Sequence, residues 1–286
     1  MTSTAGSPTP SARRVARAAV VTHGKPGQIG SGLARLQAVA QEHGVELVLS
    51  SEEAEKHGLE GSDAATSADL AVVLGGDGTV LRALARFLGT GVPVIGVNFG
   101  RVGFLSSMGR RDLEDGLGRV FAGEYEVVEL PTIQAQAGNG EHVAVNDVVV
   151  ASSIVGRMIE LGWTIGGEDL GTLSSDGVIC STPSGSTGYN LSNGGPVLVW
   201  GLDAQTVTFI AAHSLHARPL VVPRGRDVEI ENRTRDVPAQ VLVDGRPVTQ
   251  LAGGERVVAR LGEERTRLAH LPEATFFRRY RDTFAS

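Results

Sequence analysis

Apolar runs alternate with helical spacing through the first third of the chain. Strands are predicted at 16–23, 45–50, 69–74 and 92–98, and amphipathic helices at 32–44 and 79–89. Strand–helix–strand order of this kind indicates βαβ units and a parallel sheet. Because ligands of such sheets bind beyond the carboxyl ends of the strands, the residues that follow each strand are the first candidates for a site.

From about Tyr125 the pattern changes to short β-rich runs separated by turn residues. Runs of this kind predict an antiparallel, all-β sandwich. The final segment, EATFFRRYRDTFAS, places aromatic residues at helical offsets, at Phe276, Phe277, Tyr280 and Phe284. We expect this amphipathic helix to pack back onto a domain.

The predicted organisation is therefore an α/β domain with a parallel sheet, followed by an all-β sandwich domain. We place a disordered tail at 1–14, where the residues are small, polar and rich in proline. The α/β domain is predicted at 15–124 and the all-β domain at 125–262, with the last segment, 263–286, packing back onto a domain.

Composition and charge limit the classes of possible binding partner. A formal net charge of −6 with no basic run argues against nucleic acid, and no stretch approaches the roughly 20 apolar residues that span a membrane. Because the chain has a single cysteine, Cys180, it cannot form an internal disulfide, which is consistent with a reducing cytoplasm. We interpret Cys180 as a small buried apolar residue. Anionic ligands would have to be met by glycine-loop amides, helix N-termini, metal ions or a few arginines.

The motif GGDGT follows the third predicted strand. We expect Gly75, Gly76 and Gly78 to take left-handed conformations and to admit a bulky ligand, and Thr79 to open a helix whose N–H groups favour phosphate. The acid in the motif, Asp77, would repel phosphate unless a metal ion or a hydroxyl lies between them. The motif predicts a phosphate cradle, with a turn in which the acid caps the helix as the alternative.

Two further stretches are unusual. Residues 176–195 combine many Ser, Thr, Gly and Asn with Tyr189, which suits a ligand with many acceptors and a base to stack on; an ordinary loop is the alternative. Asn146 and Asp147 interrupt a strand pattern, and burying them without partners is costly. A ligand hydroxyl is expected there, with a β-bulge or a hydrogen-bonded structural pair as the alternative.

In this order, GGDGT, NFGRVGFL, NDVVV, DGVICSTPSGSTGYNLSNGGPV and AAHSLHARPLVV resemble the NAD kinase family from about Arg17 to the last helix. The long Ser/Thr/Gly motif is specific to that family, whereas GGDGT is shared with diacylglycerol kinase, sphingosine kinase and phosphofructokinase relatives. The resemblance implies a first domain that binds the phosphate donor and an all-β domain that binds NAD. It also implies a C-terminal segment that returns to the first domain.

The same resemblance implies the reaction. The γ-phosphate of ATP, or a phosphate of polyphosphate, is transferred to the 2′-hydroxyl of the adenosine ribose of NAD, giving NADP, with Mg²⁺ or another divalent cation. A cytoplasmic homodimer or homotetramer is implied, with NAD sites that borrow residues from a neighbouring subunit.

Site residues are implied by position. Asp77 matches the proton acceptor and, with Gly78, the start of the NAD site, while Arg82 matches a residue that meets the nucleotide. The phosphate-binding residues are Gly75, Gly76, Gly78 and Thr79. The remaining NAD-binding positions are Asn146 and Asp147 at the ribose and adenosine, basic Arg157, Asp176 near the nicotinamide, and Thr187, Gly188, Tyr189, Asn190, Leu191 and Ser192 around the adenosine.

Three positions depart from the family pattern. Gly188 replaces a frequent alanine, Arg246 a frequent glutamine, and Ser174 a basic residue of some members. A glycine loosens the adenosine loop and the loss of glutamine removes an amide contact, so the preference for NAD or NADH is left open.

The role of Asp77 follows from elementary chemistry. A free aspartate has a pKa of about 3.9, far below that of a ribose hydroxyl, so early proton abstraction would be steeply uphill. Phosphoryl transfer has a loose transition state in which positioning dominates. We therefore expect Asp77 to orient the 2′-hydroxyl, to accept its proton late and to help hold Mg²⁺. A lipid kinase and a non-catalytic NAD(H) sensor are the competing classes.

Overall fold

The computed structural model describes residues 9–11, 14–61, 66–100, 103–138 and 140–285 of the 286-residue chain. The chain divides into two compact units. The first comprises Met1–Glu129 with Thr266–Ser286, and the second is Leu130–Arg265. The predicted domain limits fall a few residues before these divisions.

The first unit is an α/β structure. Its elements before the second unit are β1 (Thr9–Ser11), β2 (Arg17–Thr22), α1 (Gly32–His43), β3 (Glu46–Leu49), α2 (Ser51–Glu55), β4 (Leu70–Gly75), α3 (Asp77–Arg86), β5 (Val94–Asn98), β6 (Met108–Gly109) and α4 (Leu113–Phe121). Strands β5, β4, β2 and β3 lie side by side in that order and are parallel, as predicted. Every residue of β4 is buried, because a central parallel strand is covered on both faces.

Part of the predicted disordered tail is ordered. Strand β1 pairs antiparallel with Tyr125–Val127 at the start of the long strand β7 (Tyr125–Ala137), which contributes residues to both units. Backbone hydrogen bonds along a strand edge fix these residues despite their polar sequence. The rest of the tail prediction, at 1–8 and 12–13, lies outside the described residues.

The second unit is built from antiparallel strands. Its elements are β8 (Gly140–Ala144), β9 (Asp147–Ser152), β10 (Ile159–Ile165), β11 (Glu168–Ser175), β12 (Gly177–Ser181), α5 (Tyr189–Ser192), β13 (Ala204–Ile210), β14 (Leu220–Pro223), β15 (Val228–Asn232), β16 (Ala239–Val243), β17 (Arg246–Leu251) and the first part of β18 (Arg256–His270). One sheet has the order β14-β13-β12-β9-β16-β17, and β11, β10, β15 and β18 are neighbours in another.

These two sheets enclose one core. Val150 of β9 and Val178 of β12 share a buried cluster with Leu161 of β10 and Ile230 of β15. The rings of Trp163 on β10 and Phe209 on β13 meet edge to face at 5.1 Å between centroids. The second unit is therefore the predicted sandwich, since side chains of both sheets interdigitate.

The last helix, α6 (Phe276–Phe284), belongs to the first unit. Its predicted aromatic face is only partly buried: Phe276 is 7% exposed, whereas Phe277 is 68% exposed. Besides Phe276, the buried residue of this helix is Arg279. None of the helices in the described residues has the length and apolar composition to cross a membrane.

Candidate active site

A cleft of about 340 Å³ lies at the carboxyl ends of β2, β4 and β5. It is lined by His23, Gly24, Gln28, Gly75, Gly76, Gly78, Thr79, Arg82, Phe99 and Gly100. This is the edge of a parallel sheet at which ligands are expected. His23, Gly24 and Gln28 were not predicted for the site, because the glycines that follow β2 lack a recognised phosphate-loop spacing.

Helix α3 begins at Asp77, earlier than predicted, and ends at Arg86. Gly76 takes the cap position with extended backbone, φ −100° and ψ −174°. An acid in the first turn is favoured by the positive end of the helix dipole, which explains the earlier start. The helix N-terminus consequently opens on the cleft beside Gly76 and Gly78, where free N–H groups favour phosphate.

The expectation of left-handed glycines in GGDGT is wrong. Gly75, Gly76 and Gly78 are not among the described residues with positive φ. Gly75 is required for space, because a Cβ there would lie 2.4 Å from Thr79 Oγ1. A Cβ on Gly76 or Gly78 would meet nothing within 4 Å, so these two residues leave the cleft open to a ligand.

The carboxylate of Asp77 is held by backbone amides. Its Oδ2 accepts a hydrogen bond from Phe104 N at 2.6 Å, and its Oδ1 accepts one from Leu105 N at 3.1 Å. Gly103 permits this approach, since a Cβ there would lie 2.1 Å from Asp77 Oδ1. Within the part of the chain that the structure describes, the orientation of the carboxylate is therefore fixed by main-chain amides.

Arg82 is positioned at the cleft by a buried acid. Its Nη2 donates to Thr22 O at 2.6 Å and lies 3.5 Å from Glu53 Oε1. Glu53 is only 1% exposed, and its Oε2 accepts from Thr22 N at 3.0 Å. Lys56 Nζ, 2.9 Å from Glu53 Oε1, provides a second cationic partner. Glu53 lies in α2, away from the GGDGT motif along the chain, and no sequence pattern predicts its role.

In the second unit Asn146 and Asp147 form a turn held by Asp244. Asp244 Oδ2 accepts from Val145 N at 2.9 Å, and its Oδ1 accepts from Asn146 N at 2.7 Å and Asp147 N at 3.2 Å. Asp244 has φ +47°, a left-handed conformation that aspartate tolerates in turns. Among the described residues, the buried Oδ1 of Asn146 has no hydrogen-bond partner. It is available to a donor such as a ligand hydroxyl.

Asp147 is buried, and the half-buried Asp244 carboxylate is close enough to influence its ionisation. Burial, with a smaller contribution from the charge of Asp244, raises the pKa of Asp147 to about 6. Burial also raises the pKa of Asp244, against the lowering effect of the three amides that it accepts. Near neutral pH a fraction of Asp147 is protonated, so the group can donate as well as accept a hydrogen bond.

The Ser/Thr-rich loop mostly serves the fold. Thr182 Oγ1 and Ser184 Oγ donate to Val145 O at 2.7 and 2.8 Å, which ties this loop to the Asn146–Asp147 turn. Both hydroxyls are buried. Buried hydroxyls must find partners, and here the protein supplies them.

Asn190, one of the predicted NAD-binding residues, uses its side chain for contacts within the protein. It is fully buried; its Oδ1 accepts from Thr206 and Thr208, and its Nδ2 donates to Ser186 O and Pro196 O. With these contacts the amide has no capacity left for a ligand.

The other predicted residues of this loop remain accessible. Tyr189 is 47% exposed. Gly188 and Ser192 are exposed, and Thr187 and Leu191 are half-buried.

Asp176 and Arg157 lie at the opposite end of the paired strands β9 and β12. Ser181 pairs with Asp147 at one end, whereas Ser152 N donates to Asp176 O at the other. Asp176 is exposed, and Arg157 forms an exposed ion pair with Asp236 at 2.9 Å. The predicted NAD residues of the second unit therefore fall into two groups.

The first unit presents a glycine-lined cleft at a helix N-terminus with a fixed acid in its first turn. The second presents a turn with an unsatisfied amide oxygen beside a buried acid whose pKa is raised. These features define a phosphate-transferring enzyme that binds a nucleotide. In the described residues, no group of three or more His, Cys, Asp or Glu side chains is arranged to hold a metal ion.

Comparison with known proteins identifies the family. Its ATP-NAD kinase N-terminal domain model matches residues 28–125, and its ATP-NAD kinase C-terminal domain model matches residues 145–271. The chain is 39% identical to the NAD kinase of Gemmatimonas aurantiaca over 76% of this chain and 77% of the relative. Identity to the NAD kinase of Heliobacterium modesticaldum is 41%, over 75% of this chain and 77% of the relative. The chain belongs to the NAD kinase family.

Solved structures agree. An NAD kinase from Archaeoglobus fulgidus in complex with ATP shares 27% identity with a TM-score of 0.74, covering 94% of this chain and 97% of that one. Yeast NADH kinase complexed with NADH shares the fold, with a TM-score of 0.82 at 22% identity, over 96% of this chain and 88% of that one.

Proposed function

We propose that this protein is the NAD kinase that its family indicates, transferring the γ-phosphate of ATP to the 2′-hydroxyl of the adenosine ribose of NAD. The observation that carries this proposal is the geometry of Asp77. Two backbone amides fix its carboxylate, and the glycines on either side of it in the sequence, Gly76 and Gly78, line the cleft. The Archaeoglobus relative in complex with ATP supports the donor, and the yeast relative in complex with NADH supports the acceptor. Polyphosphate is the donor to be tested against ATP.

The first unit is proposed to bind the donor. The N-terminus of α3, with Gly76 and Gly78, faces the cleft and would receive phosphate oxygens through N–H groups. Arg82 lines the same cleft and is always charged, so it would offset phosphate charge. Its anchorage on Glu53 and Thr22 O reduces the entropy lost when it engages a ligand.

The second unit is proposed to bind NAD. The unsatisfied Oδ1 of Asn146 would accept a hydrogen bond from a ribose hydroxyl, and Asp147 would contact the same sugar. Tyr189 would stack on the adenine with its exposed ring. Thr187, Gly188, Leu191 and Ser192 would surround the adenosine, and Asp176 and Arg157 would serve the remainder of the dinucleotide.

Asp77 is proposed to orient the 2′-hydroxyl and to accept its proton late in the transfer. The two amides define where the carboxylate points, which is the requirement for a positioning role. Proton transfer then follows formation of the new phosphate ester rather than preceding it.

Mg²⁺ is proposed to enter with the nucleotide. The described residues lack a cluster of three metal-binding side chains, which fits an ion that is held largely by phosphates and water. When bound, such an ion offsets the charge that develops on the phosphates. Asp77 is the residue of the motif that would contact it.

We also propose a cytoplasmic homodimer or homotetramer. The proposal follows the family resemblance, and Val155 and Leu215 in the second unit, which are 102% and 90% exposed, are apolar side chains that an assembly could cover. Light scattering coupled to size-exclusion chromatography measures the mass directly, and a monomer at working concentration would contradict this assignment.

Asp77→Asn tests the function. The amide keeps the size of the side chain but removes its charge and its capacity to take a proton, so we expect kcat to fall by at least about 100-fold. NAD affinity, measured by calorimetry, should stay within about twofold. Product is measured as NADP by an NADP-specific dehydrogenase, with Asp115→Asn, an exposed acid on α4, as the matched control.

Equal losses of kcat and NAD affinity would show that Asp77 mainly binds the dinucleotide. If the wild-type protein formed no NADP from NAD with either ATP-Mg²⁺ or polyphosphate, the proposed function would be wrong. A parallel incubation with diacylglycerol identifies a lipid kinase, and binding of NAD without turnover identifies a sensor.

A further inference from the structure

The peptide group between Phe104 and Leu105 lies between two opposite charges. Its N–H end, on Leu105, donates to Asp77 Oδ1 at 3.1 Å. Its C=O end, on Phe104, accepts from Arg279 Nη1 at 2.9 Å. Because a peptide group is planar and trans, its two polar ends point in opposite directions, and any rotation of the plane breaks both contacts.

Arg279 makes this contact from a buried position. It is 8% exposed, its Nε donates to Ala274 O at 3.0 Å, and its Nη1 also donates to Ser106 O. Burial lowers the pKa of Arg279 to about 10, partly offset by the charge of Asp77. The guanidinium is therefore charged at neutral pH, and its charge acts in an environment of low polarity.

Aromatic packing reinforces the polar contact. The Phe104 ring meets Phe276 edge to face at 5.3 Å and stacks on Phe284 at 6.1 Å between centroids. Both partners belong to α6, as does Arg279. Helix α6 therefore holds the backbone at 104–106 in two ways: through the side chain of Phe104 and through the carbonyl groups of Phe104 and Ser106.

We propose that Arg279 is a positioning residue for Asp77, acting through the Phe104–Leu105 peptide group. The inference rests on the proposed function, in which Asp77 orients the reacting hydroxyl. A cation on the carbonyl oxygen polarises the peptide, so its N–H binds the carboxylate more strongly. Helix α6 thereby sets the direction of the Asp77 carboxylate, which lies about 200 residues earlier in the chain than Arg279.

The alternative is that Arg279 only anchors α6, and kinetics separate the two roles. In Arg279→Met we expect kcat to fall by about 10- to 100-fold, because small misplacement of a catalytic group costs rates of this order. KM for NAD should stay within about twofold, since the hydrogen bonds of Arg279 described above go to the backbone carbonyls of Ala274, Phe104 and Ser106. The matched control is Arg281→Met, an arginine of the same helix whose side chain is 67% exposed. The control should retain wild-type kcat.

Arg279→Lys provides the conservative test and replaces the methionine variant if that protein fails to fold. Lysine keeps the charge but lacks the planar fork that reaches two carbonyls, so kcat should lie between the wild-type and methionine values. A kcat equal to that of Arg281→Met, or a loss confined to KM, would overturn the proposal.

Hydrogen exchange tests the geometry without an activity assay. The Leu105 amide should exchange at least about tenfold faster in Arg279→Met and in Asp77→Asn than in the wild type. If one peptide links both residues, the double variant should exchange no faster than the faster single variant. Multiplied effects, or unchanged exchange in Arg279→Met, would reject the link. Because exchange does not depend on turnover, failure of the link is distinguishable from failure to form NADP.

Discussion

Replacing Asp147 with asparagine should stabilise the second unit while impairing the site. Asp147 is 8% exposed and shares its surroundings with Asp244. The neutral amide keeps the shape of the side chain but removes a charge that burial disfavours.

The expected gain follows from the pKa. The Asp147 pKa rises from 3.8 to about 6 on folding, and each unit is worth roughly 1.4 kcal/mol. Below pH 3.8 the acid is protonated in both states and imposes no cost. Between the two pKa values the unfolded chain ionises first, so stability falls as pH rises. Above about pH 6 the cost is complete, on the order of 3 kcal/mol, and about half of it is already present at pH 5.

Urea unfolding at several pH values measures this difference. Both tryptophans, Trp163 and Trp200, lie in the second unit, so their fluorescence reports that unit selectively. Asp147→Asn should be more stable than the wild type by about 3 kcal/mol at pH 7.5 and by about half as much at pH 5. KM for NAD should rise, because the acid is proposed to contact the ribose.

Asp236→Asn is the control with the opposite sign. Asp236 is exposed, and its hydrogen bond with Arg157 lowers its pKa, so its removal should give no gain that grows with pH. A stability difference for Asp147→Asn that is independent of pH, or a loss at pH 7.5, would refute the reasoning from burial.

Two further predictions follow from buried contacts. Burial raises the pKa of the Cys180 thiol to about 12. The thiol of the native protein should therefore not react with a disulfide reagent at pH 8, whereas it should react fully in denaturant. Fast labelling of the native protein would contradict the burial of Cys180. Gly103→Ala should lower kcat by about tenfold or more, because its Cβ would displace the Asp77 carboxylate. The control Gly27→Ala, which has open space around the new methyl group, should leave kcat unchanged. Equal kcat values for the two variants would contradict the steric argument.

The order of strands and helices was predictable because it rests on local patterns. Buried parallel strands such as β4 read as continuous apolar runs, and the change to short runs after Tyr125 marks the antiparallel sandwich. The start of α3 was misplaced because its first turn, with glycine before and after an acid, carries no apolar periodicity. Only the geometry of Gly76 shows where the helix begins.

The supports of the candidate site were not predictable because they join distant parts of the chain. Asp77 and Leu105 are separated by 28 residues, and Arg279 and Phe104 by 175. Glu53 lies in a helix whose sequence is that of any exposed acidic segment, yet it is buried beneath Arg82. Local pattern shows which residues carry chemistry, whereas the residues that hold them depend on tertiary contacts.

Both units use hydrogen bonds between one carboxylate and neighbouring backbone amides, but the group that is held differs. In the first, backbone amides at Phe104 and Leu105 hold the carboxylate that is proposed to act on the substrate. In the second, the Asp244 carboxylate holds the backbone amides of the Asn146–Asp147 turn. Backbone amides move only with the main chain, so each arrangement resists side-chain rotation. The motif sequences therefore specify the reacting groups, and their precision depends on carboxylate–amide contacts between residues that lie far apart in the chain.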